Sequence, residues 1–338
     1  MTRRATAQDV ADLAGVSRSA VSLVLNGRAD GNISRAKQEA VREAAEQLRY
    51  TPNAVALSLR SQRTKTIGVL FWSIRQQMSL ALLGAVYTSA STAGYLLLTV
   101  DALERPWQVD ALLDRRVDGF VVVAPELSDF PLPESIAAVP TVMVNCLDPS
   151  LGASSLVPDE LGAGASAAQH LLDAGHRHLG VLAGAGGLAT ERRVQGVYRA
   201  VQNAGLPAPV VLRAGYSVAD GYTATRRLLA SDRAPSALVC AHERLALGAL
   251  LAVADLGLSV PADVSLVSLD DGENLAGQLV PAVVLVERPD AVIATHALEL
   301  LVEQLRHGRS AVRRLTFVCP VRPGASVGPP PLRALDAG

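Results

Sequence analysis

Short apolar runs alternate with amphipathic stretches from Thr66 almost to the end of the chain, and this alternation constrains the fold more than any other feature. The runs typical of strands are 66–72, 95–100, 119–124, 141–146, 178–184, 210–214, 236–241, 265–270 and 283–288. Amphipathic stretches with helical spacing lie between most of them, for example at 159–174, 190–204, 243–256 and 290–306. Continuously apolar strands separated by helices predict a buried parallel sheet. About 270 residues exceed one ordinary unit, so we expect two doubly wound lobes that share a cleft at the carboxyl ends of their strands.

The first 49 residues lack this alternation and are predicted to form an all-α head. Thr6 and Asp9 resemble a capping box at the start of a first helix, and Gly15 suits the left-handed residue that ends it. Ser17 can cap a second helix, and Ser34 opens a third. The positions expected to face inward are Val10, Leu13, Ala14, Val16, Val21, Val24, Val41, Ala44, Ala45 and Leu48.

Residues 50–65 form a short segment between the head and the alternating region. Pro52 fits the start of a helix and Asn53 can cap it, but only 54–59 follow. A helix this short is marginal alone in water. We therefore expect a linker that becomes helical only when something holds it.

Charge is distributed unevenly, although the whole chain has a formal net charge of −1. Residues 1–65 contain eleven Lys and Arg against six Asp and Glu, so this segment carries +5 and the remainder −6. A basic head on an acidic body is typical of a module that binds a polyanion, although a solvated charged surface gives the same balance.

The three cysteines, Cys146, Cys240 and Cys319, are scattered through apolar runs and form no C-x-x-C pair. An odd, scattered set argues against a disulfide framework and a zinc site, so we expect reduced core residues, no metal and no cofactor. The N-terminal residues lack the apolar stretch of a secretory signal, and no apolar run reaches about 18 residues. These features predict a cytoplasmic protein with no membrane span.

The stretches DVADLAGVSRSAVSLVLNG and AVREAAEQLRYTPNAVALSL closely resemble the DNA-binding head and hinge of the lactose-repressor/galactose-repressor (LacI/GalR) family. GHRHLGVLAG, the R-x-x-G of Arg193 and Gly196, LALGALLAVADLGLSVPADVSLVSLDD and the closing VRPGASVGPP resemble that family's periplasmic-binding-protein-like core. The resemblance implies a helix-turn-helix head over 1–49, a hinge helix and linker over 50–65, and an effector-binding and dimerisation core over 66–338. Lobe one would comprise about 66–157 and 290–315, and lobe two about 158–289 and 316–330.

The resemblance implies a sequence-specific transcription regulator, most often a repressor that binds a pseudo-palindromic operator in double-stranded DNA as a homodimer. A small-molecule effector, a sugar or a related metabolite, would control DNA affinity from the cleft.

Two other classes fit parts of the chain: a solute-binding receptor of the periplasmic type, and a doubly wound α/β enzyme. The basic head argues against the receptor, and the glycine run 184–187 lacks the G-x-G-x-x-G spacing of a dinucleotide site. The sequence leaves open whether the effector is an inducer or a corepressor, and whether the regulator can activate.

In a helix-turn-helix, the first residues of the second helix meet the base edges in the major groove. The resemblance places Arg18 and Ser19 at the main specificity positions, where Arg18 can donate two hydrogen bonds to guanine. The full set of predicted DNA contacts is Thr6, Ser17, Arg18, Ser19, Ala20, Ser22, Asn26, Asn53 and Leu59. Within that set, Ser17, Ser22 and Asn26 are expected on phosphates, Ala20 on a thymine methyl group, and Leu59 as a minor-groove wedge beside its dimer mate. Ala20 and Leu23 replace the family's usual Thr and frequent Arg, so base contacts from those positions are expected to be missing or replaced.

The resemblance also implies an effector site built from strand ends of both lobes: Ser73, Arg75, Asp148, Arg193, Tyr216, His242 and Asp270. Arg193 offers a rigid fork of donors for hydroxyls or a carboxylate. The alternatives are an ion pair across the lobes, such as Arg193 with Asp270, or simple exposure of these side chains. His242-Glu243 replaces the usual Asn-Asp, and VPAVVLVE replaces the usual PPLTTV, so the sequence points away from an ordinary sugar.

Overall fold

The computed structural model describes residues 5–51, 62–71, 80–101, 107–150, 152–269, 275–308 and 311–331. The chain divides into two compact units, residues 1–64 and 65–338. Five of the predicted binding residues lie outside the described residues, and their roles remain predictions: Asn53, Leu59, Ser73, Arg75 and Asp270.

The head consists of α1 (Ala7–Ala14), α2 (Arg18–Leu25) and α3 (Arg35–Gln47) within the described residues. The predicted capping box is confirmed, because the Thr6 side chain accepts from the backbone of Asp9 and the Asp9 carboxylate accepts from the backbone of Thr6. Gly15 ends α1 in the left-handed conformation, with φ 61°. Ser17 caps α2 as predicted, whereas Ser34 precedes α3 without a side-chain capping bond.

Small aliphatic side chains of all three helices form the core of the head. Its buried members are Val10, Ala11, Val21, Val24, Ala29, Val41, Ala44 and Ala45. The prediction that Leu13 faces inward is wrong, because 49% of this side chain is exposed. At about 100° per residue, Val10, Ala14 and Ala11 cover one stripe of α1, and Leu13 lies about 60° beyond its edge.

The second unit alternates strands with helices, as the sequence predicts. Its strands are β1 (Thr66–Phe71), β2 (Leu96–Asp101), β3 (Gly119–Asp129), β4 (Thr141–Leu147), β5 (Ser154–Pro158), β6 (Leu179–Ala183), β7 (Val210–Arg213), β8 (Ala237–Cys240), β9 (Ser265–Leu269), β10 (Val284–Val286), β11 (Arg314–Phe317) and β12 (Val321–Arg322). Its α-helices are α4 (Leu80–Thr92), α5 (Trp107–Asp114), α6 (Glu160–Asp173), α7 (Leu188–Asn203), α8 (Val218–Leu229), α9 (Glu243–Asp255) and α10 (Asp290–His307).

The strands of the described residues form two six-stranded sheets, one for each lobe. Lobe one has the order β11-β5-β4-β3-β1-β2 and is parallel throughout. Lobe two has the order β12-β10-β9-β8-β6-β7, in which only β12 is antiparallel to its neighbour. The predicted fold class, a helical head with two doubly wound lobes, is confirmed. The sequence prediction omitted β5, β11 and β12, and β5 begins with two buried serines, Ser154 and Ser155, rather than with an apolar run.

The described chain passes between the lobes three times, after β5, after β10 and after β11. The crossing segments hydrogen-bond to each other, because the backbone N–H of Asp159 donates to the carbonyl of Phe317 at 2.8 Å. The N–H of Glu287 donates to the carbonyl of Pro320 at 2.9 Å. Strands β5, β10 and β11 lead into these crossings from their carboxyl ends, and the predicted effector cleft would lie beside them. No helix among the described residues combines the length and the apolar character that a membrane span requires.

Candidate DNA-binding face and effector cleft

The first residues of α2 present polar side chains to solvent. Ser17, Arg18 and Ser19 are exposed. Within the described part of the chain, the Arg18 side chain makes no hydrogen bond or ion pair, so its guanidinium group is available to a partner. The hydroxyls of Ser17 and Ser19 lie 2.8 Å apart, and Ser17 Oγ accepts from the backbone of Ala20 at 3.2 Å. Of the two predicted specificity residues, Ser19 is hydrogen-bonded within the head, whereas the Arg18 side chain has no such bond among the described residues.

Several other predicted DNA contacts also hold the head together. Asn26 Nδ2 donates to the carbonyl of Ser22 at 2.6 Å and to its hydroxyl at 3.2 Å. Thr6 Oγ1 lies 2.8 Å from the Asp9 carboxylate in the capping box. Ser17, Ser22 and Asn26 thus have structural roles at the ends of α2, and their phosphate contacts remain predictions.

A groove of about 610 Å³ lies beside these residues, and the sequence analysis did not assign it. Its lining comprises Ala11, Asp12, Gly15, Val16, Ser17, Ala20, Asn32, Ile33, Ser34 and Lys37. Lys37 lies in the first turn of α3, and that turn also holds Arg35 but no acidic residue. Two cations next to the positive end of a helix dipole are unfavourable alone, so the arrangement favours an anion. In the sequence, the feature that indicates this anion-binding groove is the pair of basic residues Arg35 and Lys37 shortly after Ser34.

In the cleft region, Arg193 is engaged within lobe two. Its Nε and Nη2 donate to the Glu160 carboxylate at 2.5 and 2.9 Å, and Nη1 donates to the carbonyl of Ala241 at 2.6 Å. The Arg193 side chain is 3% exposed and that of Glu160 is fully buried. An effector contact by Arg193 would add to this ion pair rather than replace it.

The Asp148 carboxylate accepts its hydrogen bonds from residues of its own loop. It is buried, and its carboxylate accepts from the backbone N–H groups of Ser150 at 3.0 Å and Gly152 at 2.7 Å, and from the Ser150 hydroxyl. Burial raises the pKa of Asp148, but these hydrogen bonds outweigh burial and leave the pKa below its usual value. The structure thus gives Asp148 a loop-forming role, and its contact with an effector remains a prediction.

Tyr216 follows β7 and His242 follows β8, so the two side chains lie together at the carboxyl ends of neighbouring parts of the lobe-two sheet. Their rings meet edge to face with centroids 5.9 Å apart. Tyr216 Oη donates to the carbonyl of Gly186 at 2.5 Å and lies 2.9 Å from Thr190 Oγ1, while His242 Nδ1 caps α9. A Cβ on Gly184 would lie 2.1 Å from the Tyr216 ring, so the glycine run makes room for this aromatic side chain.

Asn145 is a candidate site residue that the sequence analysis missed. It is fully buried near the carboxyl end of β4, with φ 57°. Neither Oδ1 nor Nδ2 has a hydrogen-bond partner among the described residues. A buried amide without partners costs about 1–3 kcal/mol, and this cost makes Asn145 a candidate for a ligand contact. A polar residue inside the apolar run TVMVNC was the available signal.

The described residues contain no group of His, Cys, Asp and Glu side chains that could hold a metal ion. All three cysteines are free thiols and buried. Burial raises the pKa of Cys240 and of Cys319 to about 12, which disfavours the reactive thiolate.

Comparison with known proteins decides the family. Residues 6–53 match the model of bacterial regulatory proteins of the lacI family, and residues 168–327 match that of the periplasmic binding protein-like domain. The HTH-type transcriptional repressor PurR of Haemophilus influenzae is 30% identical over 323 residues, which cover 93% of this chain and 95% of that protein. The chain belongs to the LacI/GalR family.

Solved structures agree with this LacI/GalR assignment. The transcriptional regulator CelR in complex with cellobiose is 28% identical, with a TM-score of 0.69, and covers 96% of this chain and 100% of its own. The lac repressor dimer bound to operator and the anti-inducer ONPF shares the fold, with 22% identity, a TM-score of 0.78 and the same coverage. The chain is therefore a LacI/GalR transcription regulator with a DNA-binding head, and the solute-receptor alternative is not favoured.

Proposed function

We propose that this LacI/GalR regulator is a cytoplasmic repressor that binds a pseudo-palindromic operator as a homodimer and responds to a small molecule in the cleft. The observation that carries the DNA-binding part is the exposed Arg18 at the start of α2, directly after Ser17, whose hydroxyl caps that helix. A guanidinium group in that place can form two hydrogen bonds with one guanine in the major groove.

Phosphate contacts would come from the first turn of α3. Arg35 and Lys37 lie there beside unpaired helix N–H groups, and Lys37 lines the groove next to Ser17 and Ala20. Such contacts position the head without reading sequence and make affinity depend on salt.

The edge of the lobe-one sheet supports a homodimer. β2 is the outermost strand, and Leu96 and Leu98 on it are 72% and 37% exposed. Tyr87 of α4 is 67% exposed. An uncovered apolar edge is an aggregation hazard, and pairing with a second copy removes it. Two heads would then read two half-sites.

The cleft favours a neutral ligand. Asn145 offers an unpaired donor and acceptor, Tyr216 and His242 offer aromatic edges, and the Arg193 charge is already balanced by Glu160. Amide and hydroxyl groups on the ligand would complement Asn145.

Selection of bound sequences from random duplex DNA, with the full chain at a fixed salt concentration, tests the proposal. We expect an inverted repeat. Recovery of no enriched sequence from folded, dimeric protein, both alone and with metabolite extracts added, would contradict it. Sedimentation of the same sample measures the dimer independently.

A further inference from the structure

Residues 124–127 interrupt the pairing of β3 with β4. Val123 pairs with Val144 and Ser128 pairs with Cys146, so four residues of β3 lie opposite a single residue of β4. These four residues are named the β3 bulge. An insertion of this kind leaves its residues outside the ladder and redirects their side chains.

The apolar part of the β3 bulge packs against lobe two. Leu127 is 1% exposed and shares a cluster with Ala189, which is fully buried, and with Leu188; both belong to the first turn of α7. Leu147 and Val157 complete the cluster from lobe one. The chain thus buries its own aliphatic side chains between the lobes, at the carboxyl ends of the strands where a ligand would otherwise lie.

A polar contact of the β3 bulge involves a lobe crossing. Arg288 follows β10, and its Nη1 donates to the carbonyl oxygen of Pro125 at 2.9 Å. The same guanidinium group lies 2.8 Å from the Asp290 carboxylate at the start of α10, and both side chains are 5% exposed. The bulge is therefore tied to the crossing segment as well as to α7.

Glu126 adds a charge at the N-terminus of α7. A Cβ on Gly187 would lie 3.2 Å from Glu126 Oε1, and Gly187 precedes α7 without a side-chain capping bond. A carboxylate close to an uncapped helix N-terminus is favourable. Lobe one thereby supplies an anion to a helix end of lobe two.

We propose that the β3 bulge and the first turn of α7 form a latch that holds the two lobes closed with no ligand bound. In a two-lobed receptor, a ligand normally supplies the contacts that hold both lobes together. In this chain Leu127, Pro125 and Glu126 supply them. An effector that needs the volume of this contact must displace the β3 bulge, so it binds with the lobes open.

Amide hydrogen exchange of the ligand-free full-length protein tests the latch. The variant Leu188→Asp changes a half-buried residue in the first turn of α7, where an acid favours the helix. It places a carboxylate against Leu127 and near Glu126. We expect exchange in a peptide spanning 124–127 to accelerate by about tenfold or more, although the substitution is in the other lobe.

Val292→Asp is the matched control. Val292 is 49% exposed in the first turn of α10 and does not belong to the cluster around Leu127. This variant should leave exchange at 124–127 unchanged. If Leu188→Asp does not fold, Leu188→Ala keeps the helix and should accelerate exchange several-fold.

The proposal fails if the β3 bulge of the wild-type protein exchanges as fast as an unstructured peptide. It also fails if a cooperatively folded Leu188 variant exchanges there like the wild type. Both outcomes are independent of DNA binding, since no operator is present.

Discussion

The carboxylate of Glu160 accepts two hydrogen bonds from the guanidinium group of Arg193, at 2.5 and 2.9 Å, and both side chains are buried. Glu160 begins α6 and Arg193 lies in α7, so the pair joins the start of one helix to the body of the next. The bond from Arg193 to the carbonyl of Ala241 extends this network to the segment after β8. The arginine that the family resemblance assigns to an effector therefore also holds lobe two together.

Replacing Glu160 with Ala leaves the guanidinium charge of Arg193 buried without its partner. We expect the free energy of unfolding to fall by about 3–5 kcal/mol, measured by urea denaturation. Glu191→Ala is the control, because its pair with Arg213 is about half exposed on both sides. That change should cost at most about 1 kcal/mol. Equal losses in the two variants would contradict the assignment.

Helix packing in lobe two depends on glycine at position 196. A Cβ there would lie 2.0 Å from the carbonyl oxygen of Leu161, a backbone atom that cannot move aside without shifting α6. Gly196→Ala should therefore destabilise the protein by about 1–3 kcal/mol or more, seen as a lower melting temperature. Gly84→Ala in α4 meets nothing within 4 Å and should stabilise by about 0.5–1 kcal/mol. A Gly196→Ala variant with an unchanged melting temperature would show that α6 and α7 are not in close contact.

The buried His176 predicts a loss of stability in mild acid. Its Nδ1 lies 2.8 Å from Ser236 Oγ and its Nε2 lies 3.0 Å from the carbonyl of Gly328. Burial lowers the pKa of His176 more than the bond to Gly328 raises it, and the neighbouring Arg177 lowers it further. The unfolded chain then binds a proton at a pH where the folded chain does not. Stability is complete above about pH 6.5 and decreases as the pH falls from there towards the folded pKa.

Denaturation at about pH 7.5 and pH 5.5 measures this effect. The wild type should lose stability between the two values, and His176→Gln should lose less, although it starts from a lower stability. If the free energy of unfolding of His176→Gln fell between the two pH values as much as that of the wild type, His176 would not be the source of the acid sensitivity.

Sequence patterns predict the features that depend on neighbouring residues. The capping box of Thr6 and Asp9 and the left-handed Gly15 need only contacts within one helix, and they are confirmed. The pairing of Glu160 with Arg193 joins residues 33 positions apart on separate helices, so no local pattern shows it. Arg193 was assigned from resemblance alone, and its partner went unnoticed.

Burial of a polar residue is harder to predict from sequence, because it depends on which other elements pack around its strand. β5 was missed because its first two residues are serines, and Ser154 Oγ accepts from the backbone of Arg313 beside β11. Asn145 was missed for the opposite reason, since it lies inside an apolar strand that the pattern predicts correctly. Its unpaired amide becomes evident only once its neighbours are placed.

A substitution of Lys37 tests the proposed phosphate contact at the groove of the head. Lys37→Ala removes one cation from the first turn of α3 and should weaken binding to all DNA sequences to a similar extent. The slope of log affinity against log salt should fall in magnitude by about 1. Arg227→Ala, which removes an exposed cation from α8 in the other unit of the chain, is the control. A sequence-dependent loss in the Lys37 variant would indicate base contact instead.

Base reading by Arg18 is tested most directly by a mutant cycle between the protein and its selected operator. Affinities of the wild type and Arg18→Ala are measured at one salt concentration, on the operator and on variants in which each guanine of a half-site is replaced. Arg18→Ala should cost about 1–3 kcal/mol on the operator and close to nothing on one of the variants. The same loss on every duplex would contradict base reading and reduce Arg18 to a phosphate contact.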